Sequence, residues 1–408
     1  MSLPTSAESA ALPLTRTGAG RQLWLLRIAC LLQLLGFGTT FSFEAVWMRD
    51  HFMGETFIGS VIFTYMLLIL CSGVAWGMLA DRTGQAARIA CAGCAIFVAG
   101  VIWLSFSDSP GAFLAYAFFR GLGQPMILNM MPVLVFAVIG TGETGGVGRG
   151  YSLYRIFGSV GFIASSLAFP YLFSGVEWIL RAGAAGLILG ALPLLWIPPT
   201  RRHADGDGRR REVFRNRELL GFLAATFFFA TAHPAVYAFL SPYARSMGAD
   251  NTTIGLLGAL MGVVALIALP ICGWATDRFG PRRLLVLALL AQPLRALAQS
   301  LAATPAGLFP AQFFHFFTWA GSEVAAYLFV TRLVGERHRA LGMALYNGAL
   351  ILGMMAGSPV CGYLAEHHGY VAMYRTMSAV ASLGLAIFGV LLWRRSRAAP
   401  APEFKAGA

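Results

Sequence analysis

Lysine is all but missing from this chain: Lys405 stands alone among 30 basic residues, the rest being arginine. Charge of either sign is scarce, at 12% of 408 residues, roughly half the share of a soluble domain. With 57% of its residues apolar, such a chain cannot solvate its own surface. That excludes a soluble globular protein and points to repeated membrane crossing. Cysteine is sparse, and Cys30, Cys71, Cys91, Cys94, Cys272 and Cys361 all fall in apolar stretches, which excludes a disulfide framework. Cys91-x-x-Cys94 has no partner pair and reads as small core residues rather than a metal or redox site. Gly158-Ser159-Val160-Gly161 lacks the G-x-S-x-G spacing of a nucleophile elbow, and no metal-ligand pattern is present. An enzyme is therefore not expected, and neither is a cofactor. The net charge of +12 would indicate nucleic acid in a soluble chain, but no basic groove or stacking platform accompanies it, so nucleic acid is not an expected partner.

What is present is a succession of apolar runs at residues 23–47, 57–79, 87–107, 112–139, 154–174, 179–197, 218–241, 254–275, 284–303, 307–333, 342–364 and 370–393. Each approaches the ~20 residues needed to span a bilayer, and in lipid such runs must be helical because the backbone has to bond internally. The expected fold is an all-α polytopic membrane protein of 12 transmembrane helices. The first run is long enough to cross the membrane itself, so no cleavable signal peptide is expected. Most arginines then fall in segments on one side. Arg49, Arg181, Arg245 and Arg375 lie opposite, and Arg120 and Arg295 lie within spans. This asymmetry puts both termini in the cytoplasm of a bacterial inner membrane. Residues 1–22 and 394–408 read as cytoplasmic tails, and 198–217, basic and Pro/Gly-bearing, as a cytoplasmic linker. It separates two bundles of six helices, 23–197 and 218–393.

The two bundles share a motif. GMLADRTGQAAR begins at Gly77, and GWATDRFGPRRL begins at Gly273. Gly77, Asp81, Arg82 and Gly84 recur at the same offsets as Gly273, Asp277, Arg278 and Gly280, each time in the inner loop after the second helix of a half. That is an internal duplication, with a pseudo-twofold axis along the membrane normal. Gly84 permits the φ that a tight turn needs. Asp81 at a helix C-terminus is unfavourable unless it pairs, so the loop is either a latch that closes the inner side or a topological anchor. The pattern Gly77, Leu79, Ala80, Asp81, Arg82, Gly84, Arg88 resembles the signature loop of the major facilitator superfamily. The resemblance covers nearly the whole chain. It implies a 6+6 transporter of a small-molecule solute, embedded in the lipid bilayer and working as a monomer by alternating access.

Ionisable residues inside spans are costly and each is a functional candidate. Arg120, in RGLGQP of the fourth span, has a counterpart in similar transporters that is tied to proton coupling. The alternative is a structural arginine bonded to carbonyls. Arg155-Ile-Phe-Gly-Ser-Val-Gly-Phe162 resembles the fifth helix of the lactose permease and phenylpropionate permease group of proton symporters, and implies a substrate-binding arginine with a packing ring at Phe162. His233-Pro-Ala-Val-Tyr237 in the seventh span is similar to that group as well. Pro234 should break the helix, with His233 and Tyr237 on one face. Arg295 lies ten residues before the outer turn at Pro305 and His315 ten after it, which places both ~15 Å below the turn. The group's proton-carrying glutamate falls at Thr318, and the nearest carboxylate is Glu323. With His315 and Trp319 it shares one broad face. Buried, Glu323 would titrate near neutral pH and couple proton to solute, or else hold a fixed Arg–Glu–His network. The group's fourth-helix carboxylate falls near Leu128, with Asn129 beside it, which argues against galactoside recognition. Glu44 in the first span is a ligand, a second proton site or an interface residue. The substrate-binding candidates are thus Arg155, Phe162, Asn129, His233, Tyr237 and Trp319. Those for coupling to the proton gradient are Glu323, His315, Arg295, Arg120 and Glu44. The expected solute is an aromatic acid, a nucleoside or a sugar-like compound. Import by symport is the first reading, proton-antiport export of drugs or metabolites the second, and a non-transporting sensor a remote third.

Overall fold

The computed structural model describes residues 16–51, 53–106, 108–139, 147–199, 211–335 and 338–397. Of the expected tails (1–22 and 394–408), residues 1–15 and 398–408 lie outside the described residues, as does most of the expected linker (200–210), while 16–22 and 394–397 are helical.

Every regular element among the described residues is helical. Long apolar runs give α1 (Arg16–Asp50), α2 (Glu55–Thr83), α3 (Ala86–Ser105), α4 (Pro110–Ile139), α5 (Val147–Leu172) and α6 (Val176–Ala191). After α7 (Arg211–Arg215) comes a broken pass: α8 (Arg217–Thr231), α9 (His233–Val236) and α10 (Leu240–Ser246). The break falls at His233-Pro234 as expected, because proline removes a donor and clashes with the preceding turn. Then follow α11 (Asn251–Phe279) and α12 (Pro281–Ser300). Another interrupted pass is built from α13 (Phe309–Gln312), a π-helical stretch (Phe316–Gly321) and α14 (Ser322–Val334). Last comes α15 (Arg339–Arg397), in which Gly369 (φ 79°) joins two passes. Eight of these helices are long and apolar enough to cross a membrane, α15 supplying two passes, and α12 with the two broken passes makes up the remainder of a 6+6 arrangement.

The duplicated loops turn where the motif predicts. Gly84 (φ 69°) ends α2, its N–H donating to the Ala80 carbonyl at 2.7 Å, and Gly280 (φ 83°) does the same for α11 toward Thr276 at 2.9 Å. Asp81, Arg82, Asp277 and Arg278 are exposed at these ends, and Arg88 donates to Gln85 Oε1 at 3.3 Å.

The halves are closed on one side and apart on the other. Toward the outer ends, Gly59 and Gly362 bring α2 and α15 into backbone contact, and a Cβ at Gly362 would strike Glu55 and Thr56. Gly255, Gly258 and Gly262 of α11 bring it against Ser166, Ser42 and Ile163 in the same way. Such small-residue seams are how helices associate in lipid, where there is no hydrophobic driving force between them. Toward the inner ends, Gly77, Gly273 and Gly348 have open space on the side where a Cβ would sit. The buried apolar residues follow suit. One cluster unites the N-terminal half with the outer part of the C-terminal half, from Phe43 and Tyr116 through Phe239 to Tyr374. A second, around Phe222, Leu285 and Phe329, fills the inner part of the C-terminal half alone.

Polar contacts lock the outer seam. Arg49 Nη1 donates to the Pro242 carbonyl at 2.6 Å and to Tyr370 Oη at 2.8 Å, and pairs with Glu55 at 3.3 Å. Tyr370 Oη donates in turn to Glu55 Oε1 at 2.8 Å. Arg245 pairs with Asp50 at 3.1 Å, and Glu366 accepts from the Thr56 N–H at 2.7 Å, capping α2 from the opposite half. At the start of α11, hydrogen bonds from Thr253 hold the Asp250 carboxyl below the usual carboxylate range. The seam thus closes the halves at the ends opposite the duplicated loops, the side expected to face outward, and leaves them apart at the ends that carry those loops. Gly362→Leu should prevent the outer seam from closing. With Thr56→Cys as the only cysteine, an impermeant maleimide should label the Gly362→Leu background several-fold faster than its parent, and equal rates would contradict this seam.

Candidate functional site

Two polar constellations lie inside the membrane-spanning region, one in each half. In the N-terminal half α1 contributes Glu44 and α4 contributes Arg120, only 4% and 6% exposed, and their side chains form an ion pair. Tyr116 Oη donates to Glu44 Oε2, and Tyr65 Oη to Glu44 Oε1 at 3.4 Å. Arg120 lies 4.0 Å over the Tyr65 ring, and its Nε donates to Gln124 Oε1 at 2.9 Å. The carboxylate is thus met by a cation and two hydroxyls, as a charge in low dielectric requires. Glu44 and Arg120 were each legible as candidates, but their pairing was not. Depth alone could not disclose it, because α1 and α4 are separated in sequence by two other helices. Tyr116 stands four residues before Arg120 on the same face.

The second constellation is centred on Arg295 of α12, which is 0% exposed. Its Nη1 donates to His315 Nδ1 at 3.3 Å and to Thr318 Oγ1 at 3.2 Å. Its Nη2 donates to Gln312 Oε1 at 2.8 Å and contacts the Met261 sulfur at 3.3 Å. Tyr237 Oη lies 3.1 Å from the same His315 nitrogen, and its ring lies 4.5 Å beneath the guanidinium. A guanidinium can only donate, so His315 Nδ1 accepts and the ring proton sits on Nε2. The hairpin arithmetic for Arg295 and His315 therefore matches the geometry. The acceptors around Arg295 are neutral, and Gln312 is a partner that the sequence reading missed.

From this hub an aromatic surface crosses between the halves. His233 stacks on Tyr237 at 5.1 Å and His315 on Trp319 at 5.7 Å. Phe41 of α1 stands between Tyr237 at 6.1 Å and Phe162 of α5 at 5.8 Å. Arg155 of α5 lies 5.5 Å over the Trp319 ring. Arg155, Phe162, His233, Tyr237 and Trp319 are all half-buried. Phe41 was missed. Its only signal is its place three residues before Glu44, on α1.

Two expectations are corrected. Glu323 is not buried: it is exposed on the first turn of α14, because the inner ends are apart and the π-helical stretch from Phe316 to Gly321 resets the register before it. Its neighbour in charge is Arg155 across the interface, not Arg295. Asn129 does not join the aromatic surface. It is exposed on α4 beside Gly73 of α2, whose missing side chain leaves room for the Asn129 amide. Asp81, the latch candidate, has no ion-pair partner among the described residues. No group of three metal-ligating side chains occurs among the described residues.

With this geometry in hand, comparison with known proteins is informative. The model of the MFS_1 like family matches residues 23–376. The "Multidrug resistance protein MdtG" of Enterobacter lignolyticus is 26% identical over 314 residues, covering 70% of this chain and 71% of that protein. The "Putative nucleoside transporter YegT" of Escherichia coli is 23% identical over 270 residues, 61% of each chain. Among solved structures, a mutant of the nucleoside transporter NupG superposes with a TM-score of 0.80 at 14% identity, covering 91% of this chain and 99% of that one. A bacterial homologue of the human lysosomal transporter Spinster, inward-facing and occupied, gives 0.72 at 15% identity, covering 93% and 98%. These likenesses fix the fold. The narrower resemblance to the lactose permease group rests on the helix motifs alone.

Removing one partner of a buried ion pair leaves an uncompensated charge and costs about 3–5 kcal/mol. Arg120→Met should therefore lower the thermal unfolding midpoint sharply, and Glu44→Gln/Arg120→Met should recover most of the loss. Additive losses in the double variant would show that the two groups act separately.

Proposed function

The chain belongs to the MFS_1 like family of major facilitator transporters, and on that premise we propose that it imports a neutral, ring-bearing solute of the nucleoside type by proton symport. A transporter of this family is a multi-pass protein of the bacterial inner membrane that carries a small molecule. The observation behind the finer reading is the surface of Phe41, Phe162, Tyr237 and Trp319, which draws on both halves and ends in polar groups. A planar base offers faces for these rings. Ribose hydroxyls offer donors and acceptors to His233, Arg155 and Glu323.

Charge narrows the class. Glu323 stands near enough to act on the Arg155 charge, so an anionic solute is not needed to offset it. A carboxylate-bearing aromatic is thereby less favoured than a neutral ring compound. The likeness to YegT, a putative nucleoside transporter, supports the nucleoside class, while that to MdtG, a multidrug resistance protein, supports the competing reading of drug export by antiport. Both readings use the same cavity, and the direction of coupled proton movement separates them.

The proton role falls to the Glu44–Arg120 pair. A carboxylate can exchange a proton productively where its charged and neutral forms are both stabilised, one by a cation and the other by neutral hydrogen-bond partners. Glu44 has Arg120 for the first, and for the second the Tyr65 and Tyr116 hydroxyls, which donate to the carboxylate and can turn to accept from the protonated form. Glu323, exposed to the inner side, lacks that seclusion. Arg155 is assigned to solute, with Trp319 beneath it.

In proteoliposomes with an alkaline lumen, labelled uridine should accumulate in the wild type. Glu44→Gln should abolish accumulation while keeping uridine counterflow, and undiminished accumulation would remove Glu44 from coupling. Arg155→Lys should raise the uridine Kd by about tenfold, since lysine cannot reproduce the planar donor fork. An unchanged Kd would leave Arg155 outside the solute site.

A further inference from the structure

A recess lies at the inner end of the C-terminal half, lined by none of the residues of the two polar constellations. It is a cleft of about 740 Å³, bounded by the α11–α12 turn, the first turn of α12, the last turn of α14 and the end of α15. Arg282, Arg283 and Arg332 line it, and Phe279, Val286 and Leu392 supply apolar walls. Arg282 is committed: it donates to Glu218 Oε1 at 3.3 Å and lies 5.9 Å over Phe329. Arg283 and Arg332 are exposed, with no ion-pair partner among the described residues. The first turn of α12 adds backbone N–H groups, because no side chain caps it. Helix N-termini with free N–H groups favour phosphate.

The internal duplication shows that this chemistry is not demanded by the turn. The first copy continues Gly84-Gln85-Ala86-Ala87-Arg88, with Ala86 and Ala87 buried. At the same offsets the second reads Gly280-Pro281-Arg282-Arg283-Leu284. Two arginines thus stand where the sister loop has two core alanines. The cleft opens at the inner membrane surface, where exposed Trp274 and Phe279 meet lipid. A phosphate-sized anion there can be held by the arginines while an attached acyl chain follows the apolar wall.

We propose that this cleft binds an anionic phospholipid of the inner leaflet. Its phosphate sits against Arg283, Arg332 and the first turn of α12, and its chain lies along Phe279, Val286 and Leu392. The occupant joins the inner ends of α12, α14 and α15, so it braces the inner part of the C-terminal half. A free phosphate shares the headgroup chemistry but not the chain contact.

The test uses the full-length protein purified in mild detergent, with adducts counted by native mass spectrometry and thermal unfolding followed in parallel. Phosphatidylglycerol, phosphatidylethanolamine and inorganic phosphate are the three probes. Wild type should take up one phosphatidylglycerol in preference to phosphatidylethanolamine. Arg283→Gln/Arg332→Gln should bind it on the order of tenfold more weakly, given the worth of each basic residue at an anionic surface. Arg283→Lys/Arg332→Lys keeps the charge, should restore most of the binding, and controls for folding. Arg88→Gln, in the sister loop, should bind like wild type. Equal phosphatidylglycerol binding by wild type and the double glutamine variant would overturn the proposal. So would stabilisation by inorganic phosphate with no lipid adduct, which would make the cleft a free-anion site.

Discussion

A carboxylate and a guanidinium shut away from water between α1 and α4 set the terms for the rest of this protein. Neither Glu44 nor Arg120 could be ionised alone at that depth, and together they require two tyrosine hydroxyls to complete their bonding. The packing of the N-terminal half is arranged to supply them: α2 brings Tyr65, and α4 presents Tyr116 one turn from Arg120. Such a site is stable in either protonation state of the carboxyl only if the guanidinium has somewhere else to bond, and Gln124 and the Tyr65 ring give it that. The proposed coupling gives a reason for a polar pair to be kept where leucines would pack: it can hold and release a proton.

The C-terminal half solves a different problem. Arg295 is as deeply buried but has no carboxylate. It is held by His315, Thr318, Gln312 and the face of Tyr237. The charge is spread over neutral acceptors that also form the back wall of the aromatic surface. Tyr237 belongs to both: its hydroxyl bonds the Arg295 network and its ring meets Phe41 of the other half. If solute sits against Tyr237 as proposed, a change in that contact reaches α1, where Phe41 is one turn from Glu44. That chain of contacts gives a physical route between the solute surface and the buried pair.

Much of this was legible in the sequence, and the limits have physical causes. Apolar runs disclosed the passes, since lipid leaves the backbone few choices. Positive φ at Gly84 and Gly280 followed from the duplicated motif, and the break at Pro234 from the missing donor. Arg295 and His315 could be brought together because a hairpin fixes relative depth. Glu44 and Arg120 were not paired, because they come from helices separated by two others and depth alone does not reveal which helices touch. Glu323 was misjudged as buried for two reasons. A π-helical stretch shifts register without any proline or glycine pair to announce it, and the openness of the inner side is a property of conformation that no residue pattern encodes. Asn129 was drawn from an alignment of motifs, whereas its orientation depends on Gly73 of a neighbouring helix.

The most direct measurement is the pH change that solute evokes in a weakly buffered suspension of proteoliposomes with no imposed gradient. On adding uridine, wild type and Glu323→Gln should both make the medium more alkaline as protons enter with the solute, and Glu44→Gln should give no signal. A full alkaline response from Glu44→Gln would contradict the assignment of the proton to the Glu44–Arg120 pair.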